Sequence, residues 1–389
     1  MYASEKYGVI IMENNSTGSK TKKKKKSNKG NLILCAASFV IMLAFLFLVD
    51  KPDKLFNAMK NVNPYYLMLC VATMFCYWLC EAATIHVILK PLCPAARFRD
   101  TWYDTIMGQY FNCITPCASG GQPMQAYYFV KFEVPLGNAL TALLSRFIVY
   151  QFVLTMYSVI TLTTGFKTEG KLLIEGGLMP FVLIGFAINT GVIVFLLMIA
   201  LWKNGTVKAA NGFISLLTKM RIVKNPMHWR LYFTREVNKF HNNFNYIKKN
   251  AGVILKGLIF TSIQLLLYLN ISYLLYRGFF PEPDMHWFRI INYQAYVQMF
   301  SSFIPLPGAM GAAELGYAGF FKKIFGDYTG AATMLWRIFT FYLPILVGIA
   351  HLMTLKKRGI AVPENVDLNE LAGSDEAEEI NTKEEYKNG

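Results

Sequence analysis

The sequence predicts an all-α polytopic membrane protein with about six full transmembrane helices and two re-entrant pairs of broken helices. Of its 389 residues, 54% are hydrophobic and only 16% are charged, whereas a soluble domain averages roughly 45–50% apolar and about 25% charged residues. A helix that crosses the hydrocarbon core needs about 20 consecutive, mainly apolar residues. Six apolar runs approach or exceed this length: Leu32–Val49, Tyr65–Leu89, Ala139–Thr164, Met179–Trp202, Val253–Tyr276 and Ala331–Met353.

Basic residues indicate how the chain is oriented in the membrane. The formal net charge is +15, and in a polytopic protein such an excess collects in cytoplasmic loops, so we expect no nucleic-acid partner. The lysine-rich residues 1–30 predict a disordered, polybasic cytoplasmic tail, which either contacts anionic headgroups or only sets the orientation. Residues 203–250 carry ten lysines and arginines against one acidic residue and predict a cytoplasmic basic segment. Residues 356–389 predict an acidic, disordered cytoplasmic tail.

Two stretches rich in proline and glycine interrupt the apolar sequence, "TPCASGGQP" at 115–123 and "PLPGAMG" at 305–311. If Thr101–Lys131 crossed the membrane once, the basic segment 203–250 would lie outside, against the charge rule. Two re-entrant segments, Thr101–Lys131 dipping from the cytoplasm and Arg289–Lys323 dipping from outside, place that segment and both termini in the cytoplasm. The residues predicted to break these helices are Pro116, Gly120, Gly121, Pro123, Pro305, Pro307, Gly308 and Gly311.

The two interrupted segments align with each other at a constant offset in residue number, 307 − 116 = 191. At this offset Pro307 falls on Pro116 and Arg337 falls on Arg146. Because the first segment is expected to enter from the cytoplasm and the second from outside, the sequence predicts an inverted-topology repeat, an arrangement common in secondary transporters. The repeat halves lie around residues 101–164 and 289–354 of a transmembrane domain that spans residues 31–355.

Charged side chains inside apolar segments are candidates for a substrate site. A charged group at a helix centre costs roughly 2.5–3.5 kcal/mol, so Arg146 and Arg337 are expected to face a cavity or a partner. One interpretation is that both guanidinium groups bind a phosphate, which suits their planar donor geometry. The other pairs them with Glu81, Glu314 or exposed carbonyl groups as structural contacts. The residues predicted to bind substrate are Arg146, Arg337, Glu314, Glu81, Gln122, Gln125 and Thr115.

Signatures of the common enzyme classes are missing from the sequence. It contains no Walker phosphate loop, no G-x-S-x-G motif and no metal-ligand spacing. The seven cysteines form no C-x-x-C pair, and we interpret them as small apolar packing residues. We therefore expect a protein that is not an enzyme and that has no metal ion or cofactor.

The two interrupted motifs carry a family resemblance. "TPCASGGQPMQAYYF" and "PLPGAMGAAELGY", each followed further along the chain by an arginine in an apolar span, resemble the lysylphosphatidylglycerol synthase transmembrane-region family, of the bacterial multiple peptide resistance factor type. The chain departs from the family pattern at three positions. Gln122 stands where a glutamate is common, Gln125 lies near the usual arginine or lysine, and Ala309 replaces a glycine. Glu314 matches the glutamate of the second motif.

This resemblance implies a lipid flippase in a bacterial plasma (inner) membrane. Its substrate would be a phosphate-headed lipid such as phosphatidylglycerol or an aminoacyl-phospholipid, and its partners would be membrane phospholipids; polyprenyl-phosphate and glycolipid carriers stay open, as does a homo-oligomer. Only the short acidic tail follows the last predicted span, so we expect no aminoacyl-transferase domain. Two other functions remain open at this stage, a membrane-embedded lipid-modifying enzyme and a membrane scaffold that does not transport.

Overall fold

The computed structural model describes residues 57–175, 177–219, 226–282, 284–302, 304 and 306–357. The predicted span Leu32–Val49, the tail 1–30, Pro305 and residues 358–389 lie outside the described residues. Within the described part the chain is helical and forms no β-strand. Its helices are α1 (Pro64–Leu89), α2 (Phe98–Ile114), α3 (Gly121–Lys131), α4 (Leu136–Glu175), α5 (Met179–Leu201), α6 (Lys203–Lys219), α7 (Pro226–Lys249), α8 (Ala251–Phe279), α9 (Trp287–Ser301), α10 (Ala312–Phe325), α11 (Thr329–Arg337) and α12 (Leu343–Lys357).

Five stretches of the described chain are long and apolar enough to cross a membrane. They overlap five of the six predicted spans and confirm a multi-pass, all-helical membrane protein. They are Pro64–Leu89, Leu136–Gly165, Met179–Leu201, Ala251–Phe279 and Pro307–Lys357.

The helices α1 and α8 form the central pair of the bundle. Pro64 opens α1 at a position where a missing N–H costs nothing, and the Asn63 side chain caps the helix by accepting from the Tyr65 N–H at 3.0 Å. The two helices run in opposite directions, because the Asn63 N–H bonds the Gly278 carbonyl near the end of α8 at 3.0 Å. The two helices pack against each other along their whole length. Several polar groups of the site are side chains of this pair.

The first predicted re-entrant segment folds into a helical hairpin, α2–α3. The chain leaves α2 at Ile114, passes through a short 3-10 turn at Pro116–Ala118 and continues as α3. The two helices are antiparallel, since the ring of Tyr103 near the start of α2 lies 6.5 Å from that of Phe132 just after α3. Gly108 permits this close approach, because a Cβ there would lie 2.5 Å from Cδ of Gln125.

The second predicted re-entrant segment folds in the same way, as the hairpin α9–α10. A 3-10 turn at Pro307–Ala309 lies between the two helices. The aromatic rings of Tyr293 and Phe321 lie 5.9 Å apart. Nearer the turn, Gly316 leaves room for Phe300, whose Cδ1 would lie 2.6 Å from a Cβ at that position. This hairpin is also antiparallel, with both of its ends on one side.

The two hairpins start at opposite ends of the bundle and meet at their tips. The residues from Thr329 to Lys357 form one continuous helix. The rise per residue of this helix gives the distance between the bases of the two hairpins. Phe325, the last residue of the second hairpin, lies just before the start of this helix, whereas Tyr103 of the first hairpin lies 4.6 Å from His351 near its end. The start of the helix and His351 are separated by about 33 Å. The two 3-10 turns contact each other between these ends.

The predicted basic segment forms the helices α6 and α7, which pack against each other. An amide hydrogen bond of 3.1 Å from Asn243 of α7 to Asn138 near the start of α4 fixes them to the bundle. The last residues of α12, Lys356 and Lys357, lie at the same end as the base of the first hairpin.

Candidate functional site

The two 3-10 turns at the hairpin tips share an uncommon backbone conformation. Cys117 and Ala118 have φ values of 53° and 52°, and Gly308 and Ala309 have values of 57° and 52°. These two pairs correspond at the same offset that aligns the two interrupted segments in the sequence. A left-handed conformation costs a residue with a Cβ about 1–2 kcal/mol, and such strain concentrates at functional sites. Three of the four positions have a Cβ and carry that cost. The strained turns therefore mark the space between them as a candidate functional site.

The first tip is packed too closely for larger residues. The Thr115 hydroxyl accepts a hydrogen bond from the Gly120 N–H at 2.9 Å and donates one to the Phe111 carbonyl at 2.6 Å. A Cβ on Gly121 would lie 1.9 Å from Oδ1 of Asn112. The predicted break residues Pro116 and Gly120 thus lie in the interruption, whereas Gly121 and Pro123 lie in the first turn of α3.

The second tip contains the other predicted break residues that the structure describes. Pro307 and Gly308 lie in the 3-10 turn, and Gly311 follows with φ of 77° immediately before α10. A Cβ on Gly308 would lie 2.1 Å from Cε2 of Phe341. Glycine is therefore required here both for its backbone conformation and for space.

A cavity of about 280 Å³ lies between the two tips. Cys117 and Ala118 of the first tip and Leu306, Gly308 and Ala309 of the second contribute to its wall. Its polar lining residues come from five different elements and are Asn112, Tyr268, Gln298, Ser301, Ser302, Arg337 and Thr340. Among the described lining residues, Arg337 is the single charged one, so it dominates the electrostatics of the cavity.

Arg337 is held in an ion pair with Glu314. Nε of the arginine lies 2.7 Å from Oε1 of the glutamate, and the two side chains are 6% and 5% exposed. The guanidinium also lies over the rings of Trp336 and Phe341, at 4.9 Å and 5.6 Å from their centroids. Nε and Nη2 of Arg337 and Oε2 of Glu314 are buried, and none of the three atoms makes a well-directed hydrogen bond in the described part of the chain. The pair is thus held by charge at short distance, and Nη2 and Oε2 are left for another partner.

The helix that carries Arg337 changes its winding directly after this residue. Ile338–Tyr342 is a π-helical stretch, closed by a bond from the Leu343 N–H to the Ile338 carbonyl. Single turns of this kind occur frequently at functional sites. Two residues of the stretch, Thr340 and Phe341, line the cavity.

Arg146 occupies a second, separate ion-pair site. Its Nη2 lies 2.8 Å from Oε1 of Glu81, whose other oxygen accepts from the Gln109 and Gln264 amides at 2.6 Å and 3.0 Å. Glu81 is 1% exposed. The four side chains come from α1, α2, α4 and α8, so this network connects the first hairpin to the central pair. Arg146 does not line the cavity, and the structure does not bring the two arginines together.

A layer of tyrosines separates this network from the cavity. The ring of Tyr268, in the cavity wall, lies 5.8 Å from the ring of Tyr77. Tyr77 lies one turn from Glu81 on α1, and Tyr268 lies one turn from Gln264 on α8. The guanidinium of Arg146 lies 5.3 Å from the centroid of Tyr150. The Glu81 network is therefore adjacent to the cavity but shielded from it.

The two predicted glutamine contacts lie away from the cavity. Gln122 is half-buried in the first turn of α3, and Gln125 is 2% exposed and packs on Gly108. The side chain of Gln125 faces Asp104, a fully buried residue of α2. Asp104, Gln109 and Gln264 were not among the predicted site residues. The helical spacing of Asp104 and Gly108, both on the side of α2 that faces α3, is a signal that could have singled out the aspartate.

The described residues include no group of three or more histidine, cysteine, aspartate or glutamate side chains placed to hold a metal ion. The chemistry that the cavity offers is that of a guanidinium group, amides and hydroxyls. These are the donors that phosphate and carboxylate oxygens accept from.

Comparison with known proteins agrees with this architecture. Residues 34–348 match the model of the lysylphosphatidylglycerol synthase transmembrane region. The chain belongs to this family. The resemblance inferred from the two interrupted motifs is thereby confirmed, and both hairpins and both ion pairs lie within the matched residues.

Two archaeal members of the family are similar to this chain over most of its length. A UPF0104 membrane protein of Methanocaldococcus jannaschii is 23% identical over 353 residues, which cover 84% of this chain and 95% of the relative. A UPF0104 membrane protein of Methanothermobacter thermautotrophicus is 20% identical over 335 residues, covering 83% and 94%. The family is thus not restricted to bacteria, and its membership indicates a function related to membrane lipids.

Proposed function

We propose that this family member is a lipid flippase, which moves a phosphate-headed lipid between leaflets through the cavity at the hairpin tips. Phosphatidylglycerol, an aminoacyl-phospholipid or a similar lipid is the expected substrate. The observation that carries the proposal is the position of Arg337, a buried guanidinium in the wall of a cavity that two interrupted helices enclose.

The proposal includes a membrane topology. The hairpins α2–α3 and α9–α10 re-enter the membrane from opposite faces and form an inverted-topology repeat, together with about six full spans. Non-helical backbone at membrane depth is tolerated only where protein or a watery cavity satisfies it, and in transporters such breaks surround the substrate near the bilayer midplane. The tip-to-tip contact of the two turns supports this arrangement.

The orientation follows from the distribution of basic residues. Arg97 and Arg99 lie at the start of the first hairpin, Lys356 and Lys357 end α12, and the basic helices α6 and α7 pack at the same end. Basic residues accumulate in cytoplasmic loops, so we propose that this end faces the cytoplasm of a plasma membrane and that both termini do too.

The size of the cavity supports headgroup transport. Pockets that enclose a drug-sized molecule measure roughly 300–1,000 Å³, and about 280 Å³ is room for a headgroup but not for two acyl chains. The acyl chains would therefore stay in the bilayer while the polar headgroup passes the tips. The unused Nη2 of Arg337 is a donor for a phosphate oxygen.

We also propose that transport involves no covalent chemistry. The described residues that line the cavity include no carboxylate, histidine or lysine, although Tyr268, Cys113 and Cys117 are among them, and carboxylates, histidine and lysine are the commonest general acids and bases. Glu314 contacts Arg337 but does not itself line the cavity. A lipid-modifying enzyme would need such a group beside the headgroup phosphate.

Leaflet exchange in proteoliposomes tests the proposal. Lipids labelled on a hydrocarbon chain keep their headgroup charge, so phosphatidylglycerol, phosphatidylethanolamine and a polyprenyl phosphate labelled in this way can be compared directly by bleaching of the outer leaflet. We expect faster exchange of an anionic lipid with the wild type, its loss in Arg337→Ala, and its retention in Arg97→Ala, whose side chain is 68% exposed outside the bundle. Absence of exchange for all three lipids, with folding verified, would contradict a flippase.

A further inference from the structure

The ion pair beside the cavity is electrically neutral, although an anionic headgroup is expected there. Arg337 lines the cavity, whereas Glu314 does not and lies behind it. Both side chains are almost fully buried. A phosphate that reaches the guanidinium must therefore compete with the carboxylate that already occupies Nε.

Loss of the arginine would leave Glu314 without a cation. Within the described residues, Arg337 is its one ion-pair partner. Besides Glu314, the titratable and charged groups of α10 and of the segments next to it are Arg289, Tyr293, Tyr296, Tyr317, Lys322, Lys323, Asp327, Tyr328 and Arg337. Tyr268 and Tyr276 of α8 and Cys70 of α1 also face α10. The lysines lie at the far end of α10, more than two turns from Glu314.

A buried carboxylate that loses its cation is strongly destabilised. In such an environment the group takes up a proton rather than remaining charged. The N-terminal end of α10, where Glu314 is the third residue, favours the carboxylate, but a helix terminus contributes less than a buried ion pair. Oε2 of Glu314 has no hydrogen-bond partner among the described residues and offers a site for the proton.

We propose that binding of an anionic headgroup exchanges the partners of this pair. The phosphate takes Arg337 from Glu314, and the Glu314 carboxylate binds one proton and becomes a neutral carboxylic acid. When the lipid leaves at the other leaflet, the ion pair forms again and releases the proton on that side. Transport of a lipid with one negative charge would then be an electroneutral symport with one proton. This inference rests on the proposed lipid transport and adds its coupling ion.

The experiment measures how a trace of acyl-labelled phosphatidylglycerol distributes between the two leaflets of proteoliposomes. It distinguishes electroneutral proton symport from movement driven by the membrane potential. For electroneutral symport the lipid accumulates tenfold in the leaflet facing the alkaline side for each imposed pH unit, and a potassium diffusion potential has no effect. In Glu314→Gln the residue is permanently neutral, so the pH gradient should lose its effect. The lipid would then follow the potential, by about 50-fold per 100 mV for one charge.

Glu282→Gln is the matched control, because Glu282 is exposed in the segment between α8 and α9, and it should behave as the wild type. Wild-type exchange that follows the potential but not the pH gradient would overturn the inference and leave flippase activity intact. Exchange confined to phosphatidylethanolamine and independent of both gradients would overturn it too, since the ammonium would then neutralise Glu314. No exchange of any lipid would contradict the flippase itself. The response of the wild type to the pH gradient and to the potential tests the proposed symport even if Glu314→Gln does not fold.

Discussion

Cys117 and Gly308 occupy equivalent positions in the two halves of the chain and adopt nearly the same left-handed conformation, with φ of 53° and 57°. Each lies at the tip of an antiparallel helical hairpin, and the two tips touch. The backbone geometry of the two turns is thus closely similar. One half has a strained cysteine where the other has a glycine.

Replacement of Gly308 by alanine should destabilise the protein by about 2–4 kcal/mol, since the strain of positive φ adds to overpacking. The added Cβ would lie 2.1 Å from Cε2 of Phe341. Gly177→Ala is the control, with φ of 66° and no heavy atom within 4 Å, and should cost only about 1–2 kcal/mol. Thermal unfolding in detergent measures both. Equal losses would show that contact with Phe341 is not limiting.

Replacement of Glu81 by glutamine should destabilise the protein by about 3–5 kcal/mol, because Arg146 is left buried without a counter-charge. The double variant Glu81→Gln, Arg146→Met should recover a large part of that loss. Unfolding of the two single variants and the double variant gives the coupling energy. A double variant no more stable than Glu81→Gln would show that the two side chains do not act as a pair.

Replacement of Gly185 by alanine should separate α5 from the second hairpin and cost about 1–3 kcal/mol. A Cβ there would lie 1.9 Å from the carbonyl oxygen of Met299, a backbone atom that cannot rotate away. Gly191→Ala on the same helix meets nothing within 4 Å and should be neutral or slightly stabilising, since alanine favours the helix. Similar unfolding temperatures for the two variants would contradict this contact.

Cys117 should react with a charged, membrane-impermeant thiol reagent if the cavity holds water. It is exposed and lines the cavity, whereas Cys70 is fully buried. In variants that keep one cysteine each, we expect rapid labelling at Cys117 and none at Cys70, measured by the mass shift of the protein in liposomes. Modification at Cys117 should also block lipid exchange. Equal labelling of both would point to unfolding, and none at either to a dry cavity.

Much of the architecture could be predicted because it depends on local sequence. Apolar run length located five spans, and the clusters of proline and glycine located both interruptions, since these residues act on the backbone wherever they occur. The sequence offered Glu81 and Glu314 as alternative partners of the two arginines, but it could not decide whether the guanidinium groups are paired. Glu81 and Glu314 lie on different helices from Arg146 and Arg337, and only the packing of α1 and α10 decides between a free and a paired guanidinium.

Asp104 was missed for a different reason. A charge stands out when its neighbours are apolar, but Arg97 precedes α2 and Arg99 and Asp100 lie in its first turn, so the start of the helix resembles a polar surface segment. Asp104 is buried because α3 packs over α2 in the hairpin, and the composition of α2 does not reveal this packing. The amides of Gln109 and Gln264 gave no signal either, because a glutamine in an apolar helix is uncharged and common.

The π-helical stretch after Arg337 allows a change of register within the helix. A π turn holds one residue more than an α turn, so its conversion to α-helix, with the extra residue passed along the chain, rotates the preceding segment by about 100° and shifts it by about 1.5 Å. The following helix, α12, can stay packed on the first hairpin during this change. Arg337 would then turn away from the face it now occupies, and the buried residues of α11 would repack against α8 and α10.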